Sequence, residues 1–173
     1  MIIVRTDALE RTVTDTGRLA RLYGQHAADA IRLAYLMTGD RALAEDLVQE
    51  AFVRLAGRFR DLRNPDAFQW YLRRTVVNLA RSHFRHLRVE RRYAEEAGRA
   101  PASGPEPPDP GERQALWQAL LTLPERQRTA IVLRYYEDLS EAQTAEVMRC
   151  PVGTVKSLVS RGMERLRDQV TRE

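Results

Sequence analysis

Arg74, Asn78, Arg81, Arg85, Arg88 and Arg92 follow one another at intervals of 4, 3, 4, 3 and 4 residues. On a helix that spacing gathers all six into a stripe about 80° wide. Five guanidinium groups in a row are built to bind phosphates. The amide of Asn78, set among them, can hydrogen-bond a base edge. Trp70 falls beside this stripe rather than with Phe68, Leu72, Val76 and Leu79 on the opposite side. An aromatic ring there can stack on an unpaired base, so the profile fits single-stranded or opened nucleic acid better than an intact duplex. The alternative is a solvated basic face with Trp70 packed on a neighbouring helix. Against it, only Glu90 faces the seven arginines between residues 70 and 92, so the face lacks the pairing that normally steadies a structural one.

A second set of polar residues lies in Gly153-Thr-Val-Lys-Ser157. Lys156 is the only lysine among 28 basic residues. Upstream, Ser140 is placed to cap a short helix with its hydroxyl, and Ala145 is small enough for two helices to cross there. Arg149-Cys150-Pro151 ends that helix, because proline disfavours helical geometry in the residue before it and pre-sets the first turn of the next. A second helix is expected over 151–167. Val155, Val159, Gly162 and Leu166 share one face of it, leaving Lys156, Ser157, Ser160, Arg161 and Arg165 outside that face. This is the layout of a helix-turn-helix whose second helix enters the major groove.

These two clusters require helices to position them. Strand-like alternation is missing, so the fold class is all-α: two small helical domains, the C-terminal one a helix-turn-helix. Residues 1–17 read as an N-terminal tail of open role, with a frayed or extra helix as the alternative. Residues 18–97 form the first domain, with helices at about 18–37, 40–58 (Asp40 as cap) and 66–93, the last begun by Asn64-Pro65-Asp66. Residues 98–111 hold five prolines and three glycines and form a linker able to reach ~40 Å at about 3.1 Å per residue. Residues 112–173 form the second domain, with helices near 112–121 and 124–136 ahead of the helix-turn-helix.

Composition narrows the chemistry. A net charge of +4 and a pI near 9.6 favour a polyanionic partner. The single Cys150 forms no intramolecular disulfide and no cysteine zinc site; a small buried thiol is its expected state, with oxidant sensing the alternative. His83 and His86 lack a third ligand, so neither a metal nor a cofactor is expected. No phosphate-cradling glycine loop or nucleophile–base set points to an enzyme or a small-molecule substrate. No apolar run approaches the ~20 residues of a membrane span. Met-Ile-Ile-Val is too short for a secretory segment, so a cytoplasmic location is expected.

Taken together, the chain resembles a bacterial RNA polymerase sigma factor of the extracytoplasmic-function (ECF) class, of actinobacterial type. Two stretches carry the resemblance, which covers about residues 18–93 and 112–169. One is Thr38-Gly-Asp-Arg-Ala-Leu-Ala-Glu-Asp46-Leu-Val-Gln49-Glu50-Ala-Phe52 followed by the arginine stripe. The other is Leu-Thr-Leu-Pro124-Glu-Arg-Gln-Arg128 followed by the helix-turn-helix. The resemblance implies that Asp46, Gln49 and Glu50 dock on the β′ clamp helices of core polymerase, whose β flap is a further contact. It implies that Trp70, Arg74, Asn78, Arg81, Arg85 and Arg88 read and open the −10 element, with Asn78 at the family's base-capturing asparagine. It also implies that Thr154, Lys156, Ser157, Arg161 and Arg165 read the −35 element. Promoter DNA and core polymerase are thus the expected partners, with an anti-sigma factor as a third candidate. Ser82 stands where the family usually has aspartate, Tyr71 where it has tryptophan, Arg149 where the turn has glycine, and Leu158 where arginine is common. Leu158 is expected to pack rather than read a thymine methyl. The rival reading, a stand-alone helix-turn-helix regulator of duplex DNA, gives no purpose to the stripe or to the segment 46–52.

Overall fold

The computed structural model describes the backbone of residues 4–56, 66–96 and 112–170 and the side chains of 17–56, 67–93 and 116–169. Asn64-Pro65 and the Pro-rich stretch 98–111 lie outside the described residues. Among the described residues all regular structure is helical, as expected.

Helix α1 spans Val4–Thr38, so most of the supposed N-terminal tail is its first turns. Gly39 ends it at φ 76°, a conformation open to a residue without Cβ, and donates its N–H to the Tyr35 carbonyl at 2.8 Å. Asp40 then caps α2 (Arg41–Ala56), its carboxylate accepting the Leu43 N–H at 3.0 Å. Helix α3 is Asp66–Glu96. These three helices bury Leu33, Met37, Val48, Phe52, Phe68, Leu72 and Val76 between them. Ala34, Ala44, Ala51 and Ala80 are also buried, and their small side chains let the backbones approach.

The C-terminal part begins with α4 (Glu112–Thr122), followed by α5 (Glu125–Ile131). Helix α5 widens into a π turn, Val132–Tyr136, where the Glu137 N–H reaches back to the Val132 carbonyl at 3.1 Å. Ser140 caps α6 (Glu141–Met148) in a full capping box: its hydroxyl accepts the Gln143 N–H at 3.1 Å, and the Gln143 side chain accepts the Ser140 N–H at 2.8 Å. Arg149 carries the chain round in the left-handed region, φ 51° and ψ 54°, into α7 (Val152–Val170). A Cβ on Gly162 would lie 2.6 Å from Ile131 Cδ1, so glycine is what permits α7 to lie this close to α5.

The two helical units are not separate beads. The apolar core of the first continues into the second through Ala130, Leu133, Val147 and Met148, and α3 packs against α6. Tyr35 of α1 stacks on Trp117 of α4, with centroids 5.3 Å apart and planes 16° from parallel. Periodicity shows which face of each helix is apolar. It does not show which helix will cover it, and this junction was therefore not legible in the sequence.

Candidate nucleic-acid interface

The Asp66–Glu96 helix buries Phe68, Leu72, Val76 and Leu79 on one side and turns the arginines away from them, as the spacing requires. Arg74, Asn78 and Arg81 are half-buried, whereas Arg85, Arg88 and Arg92 are exposed. Sequence reasoning found the stripe but not the carboxylates that meet it. Arg74 lies 3.4 Å from the Glu146 carboxylate, and Arg88 donates to both oxygens of Glu125 at 3.1 Å each. Arg81 donates to the Met148 carbonyl at the end of α6. Next to the stripe, Arg73 pairs with Glu137 at 2.5 Å, both side chains more than four-fifths buried. Burial, with Arg126 nearby, pulls the Arg81 guanidinium below its ordinary pKa. An arginine remains charged at neutral pH all the same. Glu125, Glu137 and Glu146 lie 37 to 72 residues from their partners in sequence, beyond the reach of any local pattern.

Trp70 departs from the expectation. It is half-buried against the apolar core rather than lying out along the stripe. A large indole near the edge of an apolar face gains more by covering that face than by standing in water. The exposed aromatic at this level is its neighbour Tyr71, 43% exposed.

On α7, Val155, Gly162 and Leu166 are buried and Val159 half-buried, while Lys156, Ser157, Ser160, Arg161 and Arg165 are exposed, as the helical periodicity requires. Thr154 is half-buried at the start of the helix. The Lys156 ammonium lies 3.5 Å from Glu141, and Ser157 donates its hydroxyl to the Gly153 carbonyl at 3.0 Å. A groove of about 490 Å³ runs beside this helix, with Arg134, Tyr135, Lys156 and Arg167 on its walls. Leu158 packs against the core, as expected.

Helix α2 buries Leu47, Val48, Ala51 and Phe52 and leaves Asp46, Gln49 and Glu50 exposed, with Glu50 paired to Arg54 at 2.5 Å. Val53 extends the same face and is 72% exposed. Its place seven residues after Asp46 was the signal that could have included it. Cys150 is a half-buried thiol packed on the core. Among the described residues no three His, Cys, Asp or Glu side chains are grouped to hold a metal ion, and no helix is long and apolar enough to cross a membrane.

Comparison with known proteins bears directly on these faces. Residues 22–90 match the family model of sigma-70 region 2, and residues 113–166 match that of sigma-70 region 4. Over 152 residues the chain is 34% identical to the ECF RNA polymerase sigma factor SigW of Bacillus subtilis, covering 80% of this chain and 81% of that relative. The chain belongs to the ECF sigma factors. Such a factor acts with RNA polymerase in promoter-specific initiation of transcription. The chain is also 36% identical over 160 residues to the ECF sigma factor SigE of Mycolicibacterium smegmatis, covering 87% of this chain but only 61% of that longer relative. The fold is that of the sigma factor RpoE of Bartonella quintana, solved in complex with the anti-sigma factor NepR: TM-score 0.67, 22% identity, 88% of this chain and 96% of that one. In this ECF sigma factor, region 2 thus takes in α2 and the stripe of α3, and region 4 the helix-turn-helix.

Proposed function

We propose that the three faces divide the work of initiation. The α2 face of Asp46, Gln49 and Glu50, widened by Val53, docks on the β′ clamp helices of core polymerase, and region 4 meets the β flap. Arg74, Asn78, Arg81, Arg85 and Arg88 hold and open the −10 element, with Asn78 taking an unstacked base and Tyr71, rather than Trp70, as the aromatic within reach. Thr154, Lys156, Ser157, Arg161 and Arg165 hold the −35 duplex, the backbone N–H groups at the start of α7 favouring phosphate. Promoter DNA and core polymerase are the partners, an anti-sigma factor is a candidate third, and the site of action is the cytoplasm. No catalytic step, cofactor or small-molecule substrate is assigned to the chain.

The observation that carries this reading is the α2 face within the stretch that matches sigma-70 region 2: a helix anchored by six buried apolar side chains that offers two acids, an amide and a valine to solvent. A regulator acting alone on duplex DNA has no use for it. Size-exclusion co-elution of the purified protein with core polymerase, without DNA, tests it. Stable co-elution that is lost in Asp46→Arg supports the assignment. Tight binding of a duplex site by a protein that ignores core polymerase would replace it with the regulator reading.

A further inference from the structure

Lys156 is the only lysine in the chain, and its ammonium reaches off α7 to Glu141 in the first turn of α6, 3.5 Å away. Of its neighbours on the reading face, Arg161 and Arg165 meet no acid among the described residues. The pair does little for stability: its side chains are 63% and 44% exposed, and ion pairs this open to water contribute little. The α6 dipole accounts for an acid at position 141, but not for one that extends to the reading helix. Glu141 is also firmly seated. The capping box of Ser140 and Gln143 fixes the backbone on either side of it, and Arg134 donates to the Leu139 carbonyl just before the cap. Both members of the pair line the groove beside α7.

The residue types matter here. Arginine fits guanine O6 and N7 with its own two-pronged fork. Lysine is a single charge on a flexible stem, free to settle on any acceptor, phosphate included. A carboxylate beside it supplies the second prong that lysine lacks. We infer that Glu141 is a specificity-determining residue of the −35 surface: with Lys156 it forms a donor and acceptor pair that reads one base pair and its orientation. The inference rests on α7 being the −35 reader. Base pairs are written with the base under Lys156 first. In the major groove of G·C, the guanine O6 acceptor and the cytosine amino donor lie side by side, about 2.9 Å apart because they are hydrogen-bonded to each other. An ammonium and a carboxylate 3.5 Å apart match that order, Lys156 on O6 and N7 and Glu141 on the amino group. T·A keeps the order with O4 and the adenine amino group, but sets a methyl where N7 was. C·G and A·T reverse it, so an amino group faces the ammonium and an oxygen faces the carboxylate. Lysine alone finds an acceptor in all four pairs; the carboxylate is what rejects the reversed two.

The test offers a library of short duplexes, randomised over the −35 window, to the full chain bound to core polymerase, and reads the bound sequences. In the wild type one position should rank G·C first, T·A next and the two reversed pairs last. Glu141→Gln keeps the shape, but its amide donates as readily as it accepts. It should shrink the preference for G·C over C·G at that position about tenfold and leave the other positions unchanged. If Glu141→Gln tightens all duplexes alike and the ranking survives, the carboxylate only repels phosphate; the inference is overturned and the −35 assignment stands. If the wild type shows no preference, or Lys156→Ala leaves the ranking intact, α7 does not read the duplex through this face. The −35 assignment then falls, and the inference with it.

Discussion

The two surfaces assigned to DNA differ in what covers them. On α7 the basic side chains stand in water, with Glu141 at 3.5 Å from Lys156 as a counterion from its own region. On α3 three of the five proposed −10 side chains already meet oxygens from the other region. A recognition helix that reads duplex needs only an exposed face, since the donor and acceptor pattern of the major groove is present before any strand opens. A stripe that takes an unstacked strand is useful only after melting, and five uncovered arginines would bind any polyanion in the meantime. Under the proposed division of work, exposure in the free chain follows the order in which the surfaces are needed.

The sharpest way to break this comparison is to disable the uncovered side. Lys156→Ala combined with Arg161→Ala should lower holoenzyme affinity for a −35 duplex about a hundredfold, since each good base-edge contact contributes roughly 1–3 kcal/mol. Co-elution with core polymerase should be unchanged. If core binding is lost as well, the two surfaces are not independent and the division of labour is wrong. On the covered side, Asn78→Ala should slow promoter opening about tenfold, followed by permanganate reactivity of unpaired thymines, with closed-complex affinity nearly unchanged. An equal loss of both would mean that Asn78 positions α3 and does not capture a base.

A third substitution acts on the support of α7 and leaves the stripe alone. Gly162→Ala places a methyl group 2.6 Å from Ile131 Cδ1 and 3.3 Å from Gln127 Cβ. Part of the overlap can be relieved, because Ile131 Cδ1 is the end of a flexible side chain. The Gln127 contact is to a Cβ close to the backbone of α5. Overpacking of this kind costs about 1–3 kcal/mol, and urea unfolding should show it. Binding of the −35 duplex should weaken while core binding persists. A neutral result would show that α5 and α7 can part at no cost.

Sequence legibility tracked the range of the interaction. The Ser140 cap depends on residues three apart, the Asp40 cap likewise, and the face of α7 on a repeat of three to four, so each could be read locally. The stripe itself was legible for the same reason. Its partners were not, because 64 residues separate Arg73 from Glu137 and 67 separate Arg81 from Met148. The apparent shortage of acids around the stripe was real locally and was made good across the fold. Trp70 marks the other limit. Its position on the helical wheel sets it near the stripe's edge, but burial of the indole decided which way it settled. The proposed core-docking face rests on family resemblance, since exposed acids on a helix carry no distinctive signal by themselves.

The smallest predicted effect lies at the hinge between the two surfaces. Arg149 follows directly on Met148, whose carbonyl holds Arg81, and leads through Cys150-Pro151 into α7. Its φ of 51° is a left-handed conformation that a residue with a Cβ adopts at a cost of about 1–2 kcal/mol. Its charge also lies close enough to oppose that of Arg81. Arg149→Gly removes both penalties, offset in part by the greater freedom of glycine in the unfolded chain. A net gain of about 1 kcal/mol is expected, read as a rise in Tm of about 2–4 °C. If the gain came only from the backbone, it would persist at high salt. If relief of the Arg81 repulsion contributes, part of the gain would vanish as ionic strength rises, and the covered stripe would be held more tightly at low salt than in the wild type. A fall in Tm would show that Arg149 makes a contact worth more than the strain it carries, and the turn would then be a fixed joint of this fold rather than a relaxed substitute for glycine.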